Sequence, residues 1–135
     1  MRIKELMIAD WVNIMIDEYD NPVQIKEIGQ FWVKVTQDDN HYGIILVQPI
    51  LLTPEILEKN GFRKSVSPPG IHAKCYEIED KDKKYCLTIA NYNRYKRLLL
   101  NVDSEDSECF NIKCDYVHQL QHALRLCGIE KEIIL

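Results

Sequence analysis

The first half of the chain alternates between apolar and polar residues, and this period of two is typical of half-buried strands. Polar turn residues separate the alternating segments. The segments that follow the pattern are 10–16, 23–28, 31–36 and 44–47. Short strands joined by tight turns predict a small, strongly bent sheet, and we expect an SH3-like β-barrel module over residues 1–48.

One of these segments places an aromatic residue on its polar side. Phe31, Val33 and Val35 share a face that we expect to be buried, whereas Trp32 points the opposite way, beside Lys34. An aromatic residue on a polar face is either covered by another segment or exposed as an interaction anchor. We expect the second half of the chain to cover Trp32, and we keep it as a candidate interaction residue.

The next pattern is a short helix with both ends marked. Thr53 is a suitable N-cap, and Gly61 suits the left-handed position just beyond a helix end. Leu57 and Phe62 then have the spacing of the apolar contact that accompanies a Schellman ending. These signals predict a helix over residues 53–60.

Strand patterns return over residues 62–113. The segments 73–79 and 84–90 flank a charged turn and predict an antiparallel hairpin. In such a hairpin Cys75 and Cys86 could be neighbours across the strands, and the sequence leaves open whether they are paired.

A second helix is predicted over residues 115–127. Asp115 is a suitable N-cap and Gly128 a suitable end. The residues that recur at helical spacing as an apolar stripe are Val117, Leu120, Leu124 and Cys127. We therefore predict an α+β fold, in which the SH3-like module of residues 1–48 precedes an α+β part over residues 49–135. In that part the C-terminal helix packs on an antiparallel sheet, and we expect one compact unit.

Motifs in these segments resemble those of an uncharacterised family of short proteins from bacteroidete genomes and their prophages. The matching segments are Leu6-Met-Ile-Ala-Asp-Trp-Val12, Pro49-Ile-Leu-Leu-Thr-Pro-Glu55 with Gly61-Phe62, and Tyr116-Val-His-Gln-Leu-Gln121. Ala9 stands where the family usually has Gly, so the turn geometry expected before the first strand is in doubt. Leu51 replaces the second Pro of the middle motif. The resemblance implies an architecture and a prophage setting. It carries over no biochemical function.

Composition restricts the function classes. The chain has 135 residues, 46% hydrophobic and 28% charged, which fits one soluble domain. Its net charge of −4 disfavours nonspecific binding to nucleic acid or to an anionic membrane. The apolar runs are too short to span a bilayer, and the first residues do not resemble a signal peptide. With five cysteines and no Cys-x-x-Cys spacing, we expect reduced thiols in a cytoplasmic protein without a membrane partner.

Candidate chemistry is sparse. His118 and His122 lie four residues apart and could share a helix face, but no third metal ligand is evident. We expect His118 to hydrogen-bond a backbone or carboxylate group instead. No phosphate-binding loop or catalytic motif occurs, so we expect no catalytic residue, metal or cofactor and classify the chain as a non-enzyme.

One segment mixes aromatic and cationic residues as nucleic-acid-binding surfaces do: Tyr92, Arg94, Tyr95 and Arg97. On a strand, however, these residues divide between two faces. Our leading hypothesis is a non-enzymatic protein-interaction or self-association module, and a nucleic-acid-binding accessory protein is the alternative. The residues proposed for the interaction surface are Trp32, Tyr92, Arg94, Tyr95, Arg97, His118, Gln119 and His122.

Overall fold

A computed structural model describes residues 1–17, 19–65, 74–79, 85–91, 96–102, 110–126 and 128–135. Over these residues the fold is α+β, with two five-stranded antiparallel sheets and a C-terminal helix. The chain divides into two units. The first comprises Met1–Leu51, Tyr116–Ile133 and Leu135, and the second comprises Leu52–Asp115 and Ile134. The sequence analysis assigned the C-terminal helix to the second part, whereas here it groups with the first sheet.

The sheet of the first unit has the order β4-β3-β2-β1-β5. Its strands are β1 Trp11–Ile16, β2 Tyr19–Ile28, β3 Trp32–Val35, β4 His41–Gly43 and β5 Val47–Pro49. The long β2 pairs first with β1 and then with β3, and its register shifts between Ile25 and Glu27. Such an irregularity bends a strand, which allows one strand to serve two partners at different angles.

A closed SH3-like barrel is not seen. Closure requires the two edge strands of a sheet to pair with each other. In the described part of the chain β4 pairs with β3 and β5 pairs with β1, so the sheet is open. The prediction of strands joined by tight turns is confirmed, and the prediction of a closed barrel is not.

The alternating pattern predicts most of the core of this unit. Val33 and Val35 of β3 are buried as expected, and alternate residues Val12 and Ile14 of β1 are buried as well. Phe31 is an exception, because β3 begins one residue later and the Phe31 side chain is 68% exposed. The alternation was therefore extended one residue too far at this end.

The segment 44–47 is also not the simple strand that was predicted. Residues Ile44–Leu46 form a 3₁₀ turn, and β5 starts at Val47, which is fully buried. One face of a strand can bury only alternate residues. The turn instead leaves Ile45 and Leu46 exposed.

The helix α2 spans Val117–Leu126, so it begins two residues later than the predicted start at 115. Tyr116 forms a β-bridge with Leu51, and the Val117 N–H donates to the carbonyl of Ile50 at 2.9 Å. This pairing keeps the chain extended up to residue 116, and the helix begins at Val117. The predicted apolar residues Val117, Leu120 and Leu124 are buried, and Cys127 lies outside the described residues.

The helix α1 of the second unit spans Pro54–Lys59, and its predicted ends are confirmed. The Ile56 N–H donates to the hydroxyl of Thr53 at 3.3 Å, so Thr53 is the N-cap. Gly61 has a φ of 85°, and the Phe62 N–H donates to the carbonyl of Leu57 at 3.0 Å. Leu57 and Phe62 are both buried, as a Schellman ending requires.

The sheet of the second unit is a simple meander in the order β10-β9-β8-β7-β6. Its strands are β6 Arg63–Ser65, β7 Lys74–Glu79, β8 Tyr85–Asn91, β9 Lys96–Val102 and β10 Phe110–Lys113. The predicted hairpin is confirmed as β7 and β8. Cys75 pairs with Ala90 and Cys86 with Glu79, so the two cysteines are not cross-strand neighbours. Cys75 is a buried thiol outside any disulfide.

Candidate functional site

The polar residues of α2 surround the carboxylate of Asp10, which immediately precedes β1 and is fully buried. Its Oδ2 accepts a hydrogen bond from the Met7 N–H at 2.8 Å and lies 2.7 Å from Nε2 of His122. Its Oδ1 accepts a hydrogen bond from Arg125 at 3.0 Å. A buried carboxylate is tolerated when it is paired and hydrogen-bonded in this way. Asp10 therefore ties the N-terminal turn to α2.

Gln121 makes a second connection between the same two segments. Its Nε2 donates to the carbonyl of Ala9 at 3.0 Å, and its Oε1 accepts from the Trp11 N–H at 2.9 Å. The amide thus satisfies backbone groups on both sides of Asp10. A buried backbone group left without a partner is costly, which explains why an amide side chain stands at this helix position.

The residue before Asp10 adopts an unusual backbone conformation. Ala9 has a φ of 70°, in the left-handed region that glycine enters without a steric penalty. This is the position at which the resembled family usually has Gly. The hydrogen bonds that Gln121 and Asp10 make with Ala9, Trp11 and Met7 hold the chain on both sides of this residue.

Gln119 is explained by the start of the helix. Its Oε1 accepts a hydrogen bond from the Tyr116 N–H at 3.2 Å. A glutamine three residues into a helix often reaches back to the residue before the first turn, as one half of a capping box. Gln119 therefore has a structural role in α2, and its polarity does not by itself indicate a ligand.

His118 departs from the expected hydrogen bonding. Only 3% of its surface is exposed, and its Nδ1 has no hydrogen-bond partner. The ring stacks on Tyr116 at a centroid distance of 5.9 Å and meets the edge of His122 at 5.6 Å. Burial lowers the pKa of His118, because the charged imidazolium would lose its hydration there. The expected backbone or carboxylate partner is therefore absent at Nδ1.

The described residues contain no group of three or more histidine, cysteine, aspartate or glutamate side chains placed to hold a metal ion. His118 and His122 do share one side of α2, as their spacing predicts. Nε2 of His122, however, faces Asp10, whose carboxylate already accepts from Met7 and Arg125. The side chains of Asp10, His122 and Arg125 thus connect the N-terminal turn to α2.

Trp32 is covered from within its own sheet. A Cβ at Gly29 would lie only 2.2 Å from the Trp32 ring, so the indole packs directly on the Gly29 backbone. His41 meets the same ring at a centroid distance of 4.3 Å and an interplanar angle of 69°. Glycine at position 29 and histidine at position 41 supply this cover, and cover of Trp32 by the second half of the chain stays a prediction.

The aromatic and cationic candidates are described only in part. Tyr92, Arg94 and Tyr95 lie outside the described residues, and Arg97 is described in its backbone alone, opposite Ala90 in β8. Their grouping into one surface stays a prediction. No side-chain geometry supports or opposes nucleic-acid binding there.

Sequence reasoning missed a cluster of exposed apolar residues beside the edge strand β4. Phe31 is 68% exposed and Ile45 is 85% exposed, and the exposed Leu46 follows. The Ile44 N–H donates to the carbonyl of Phe31 at 2.9 Å, which brings the two segments together. We call Phe31, Ile45 and Leu46 the edge patch. The run of four apolar residues at 44–47 was the available signal, because one strand face cannot bury all of them.

No family model, curated protein or solved structure matches the chain. Across the described residues, neither helix has the length and apolar character needed to cross a membrane.

Proposed function

We propose that the protein is a non-enzymatic interaction module that binds another protein chain, either a partner or a second copy of itself, through the edge patch. The observation that supports this proposal is the exposure of Phe31 and Ile45, whose segments are joined by the hydrogen bond from Ile44 to Phe31. Soluble monomers expose single apolar residues routinely, but adjacent large ones next to a sheet edge are typical of contact surfaces. Covering either side chain would contribute about 1.5–3 kcal/mol.

The position of β4 supports the same proposal. It spans only His41–Gly43 and ends the sheet order, so one side of its backbone faces away from β3. Edge strands offer their outward N–H and carbonyl groups to another chain. The edge patch therefore adjoins, along the chain, a strand whose outward backbone groups can pair with another chain. We extend the proposal to an SH3-like, partly open module of a cytoplasmic prophage protein, on the basis of the bent five-stranded sheet and the motif resemblance.

Affinity capture tests the proposal with a pair of matched variants. Ile45→Lys places a charge in the edge patch, whereas Leu126→Lys places one at a position that is equally exposed, at 85%, on α2. The tagged protein is mixed with an untagged copy and, separately, with a lysate of the host. We expect wild type and Leu126→Lys to retain a specific chain and Ile45→Lys to lose it.

Two results would contradict the proposal. One is a wild-type protein that retains neither its own copy nor any lysate protein above the level of a tag-only control. The other is equal retention by Ile45→Lys and Leu126→Lys, because the contact would then not involve the edge patch.

A further inference from the structure

A cleft of about 310 Å³ opens in the first unit at the β1–β2 hairpin, on a surface defined by residues other than the edge patch. Its apolar walls come from Ile14, Ile16, Pro22 and Val23. Asp38 and Tyr42 stand on its other side, in the β3–β4 connection and in β4. We call this space the hairpin cleft. Its volume is at the lower end of the range for small-ligand sites, about the space of one long side chain.

The charge at the cleft comes from Asp38. The Tyr42 hydroxyl donates to its Oδ2, and the Asn40 N–H donates to its Oδ1 at 2.9 Å. These hydrogen bonds favour the ionised form and lower the pKa of Asp38. The cleft thus joins an apolar wall to a fixed, ionised carboxylate.

The carboxylate of the neighbouring Asp39 is paired with lysine side chains, but that of Asp38 is not. Asp39 pairs with Lys26 at 3.0 Å and with Lys34 at 3.2 Å. Among the ion pairs of the described residues, Asp38 has no cationic partner. A bound group that complements this surface carries a positive charge on an apolar stem.

We propose that the hairpin cleft binds the lysine or arginine side chain of an extended segment of a partner protein. The methylene stem lies against Ile16 and Pro22, and the cationic head reaches Asp38 beside the ring of Tyr42. Long cationic side chains bury their stems on apolar surface in this way, and an aromatic ring next to the charge adds a favourable contact. The inference rests on the proposed function in that the occupant is a protein, but it concerns a second surface.

Peptide titration followed by amide chemical shifts tests the inference. The probes are three short capped peptides that differ only at a central arginine, lysine or citrulline, and citrulline is a neutral analogue of arginine. We expect the two cationic peptides to shift the amides of Ile16, Asp38 and Tyr42 in a salt-dependent manner. The citrulline peptide should bind about tenfold more weakly or not at all, because it cannot form the charged hydrogen bond.

Variants of the protein complete the test. Asp38→Asn should weaken binding of the arginine peptide about tenfold. Glu132→Gln removes an exposed carboxylate elsewhere and should leave the affinity for this peptide unchanged. Ile16→Lys provides an independent check, since it places a cation beside Asp38 that competes with the peptide. The unperturbed amides of each spectrum report whether the variant is folded.

The inference is overturned if no peptide shifts these amides, if citrulline and arginine bind equally, or if Asp38→Asn binds as wild type does. A single-stranded oligonucleotide that shifts the same amides would also overturn it. If no peptide binds the hairpin cleft but Ile45→Lys still abolishes affinity capture, the cleft proposal fails and the proposed function stands. If the cationic peptides bind but Ile45→Lys leaves affinity capture unchanged, the edge patch fails and the cleft proposal stands.

Discussion

The buried carboxylate of Asp10 is expected to contribute strongly to the stability of the first unit. Asp10→Ala would leave the guanidinium of Arg125, the ring of His122 and the Met7 N–H without their acceptor. Because part of Arg125 is exposed to solvent, we expect a loss of about 2–4 kcal/mol in the free energy of unfolding, measured by urea denaturation.

Asp20→Asn is the matched control for this variant, since Asp20 is an exposed residue of β2. Its effect should stay within about 0.5 kcal/mol of zero. Equal stability of Asp10→Ala and Asp20→Asn would show that the interactions around Asp10 contribute little.

The strained backbone at Ala9 predicts a stabilising substitution. Ala9 has a φ of 70°, which costs a residue with a Cβ about 1–2 kcal/mol, so Ala9→Gly should raise the free energy of unfolding by about 1 kcal/mol. Ala123→Gly, within α2, should lower it by about 1 kcal/mol or more. Thermal and urea unfolding of both variants measure the effect. The same sign for both substitutions would contradict the assigned backbone conformation.

His118 predicts a loss of stability in acid. Burial lowers its pKa, while the carboxylates of Asp10 and Glu5 oppose this effect and His122 adds to it. The unfolded chain therefore binds a proton at a higher pH than the folded protein does. The stabilisation from a neutral His118 is complete above about pH 6.5 and is lost as the pH falls toward the folded pKa.

His118→Phe isolates this contribution, because it keeps an aromatic ring in the same place without a titratable nitrogen. Urea unfolding at a series of pH values should show a shallower decline for the variant as the pH falls below about 6.5. Parallel pH profiles for the two proteins would exclude His118 as a source of the acid sensitivity.

At the scale of the element, the helix ends followed from local sequence. Thr53, Gly61 and Gly128 act through hydrogen bonds to residues a few positions away. The local sequence around each of them therefore contains the information that places that helix end. The Gly128 N–H donates to Arg125 at 3.0 Å and the Ile129 N–H to Leu124 at 2.9 Å, which repeats at α2 the ending of α1.

The helix endings support a direct test. Gly61 has a φ of 85°, so Gly61→Ala should lower the free energy of unfolding by about 1 kcal/mol. Gly43 is a suitable control, because its φ is −59° and a Cβ there would meet nothing closer than 3.9 Å. Urea denaturation should find Gly43→Ala near wild type, and an equal loss from both substitutions would argue against the Schellman ending.

Features that depend on distant residues did not follow from the sequence. The start of α2 is displaced by the bridge between Tyr116 and Leu51, and the polarity of Gln121 and His122 is explained by partners 112 residues away. Apolar periodicity identifies which residues are buried, but it does not identify which polar group a buried amide will meet. For that reason Gln119 and His122 were predicted as surface candidates, whereas their observed contacts are structural.

At the scale of the whole molecule, the charge bears on the nucleic-acid alternative. With a net charge of −4, we expect no gel shift with DNA or RNA at physiological salt. A salt-sensitive shift that is lost in an Arg94→Ala/Arg97→Ala variant would favour the alternative over the protein-interaction module. Binding that the double variant retains would point to another part of the chain.

The candidate interaction surface stays a prediction, and the structure changes which aromatic residue is exposed on it. The sequence indicated outward aromatic residues and selected Trp32, which packs on Gly29 and His41. The exposed residue is its neighbour Phe31. Where the alternation of a strand begins decides which of two adjacent aromatic residues faces outward, and that boundary is set by tertiary pairing, here Trp32 with Gly43.

Site-specific photo-crosslinking tests the central proposal most directly, since it reports what lies against the edge patch. A photoreactive amino acid replaces Phe31 in one protein and Leu126 in another, and each is irradiated with its own copy and with host lysate. We predict a discrete crosslinked product to another chain from position 31 and none from position 126. Irradiation that yields no product from position 31, or equal products from both positions, would contradict the assignment of the edge patch as the interaction surface.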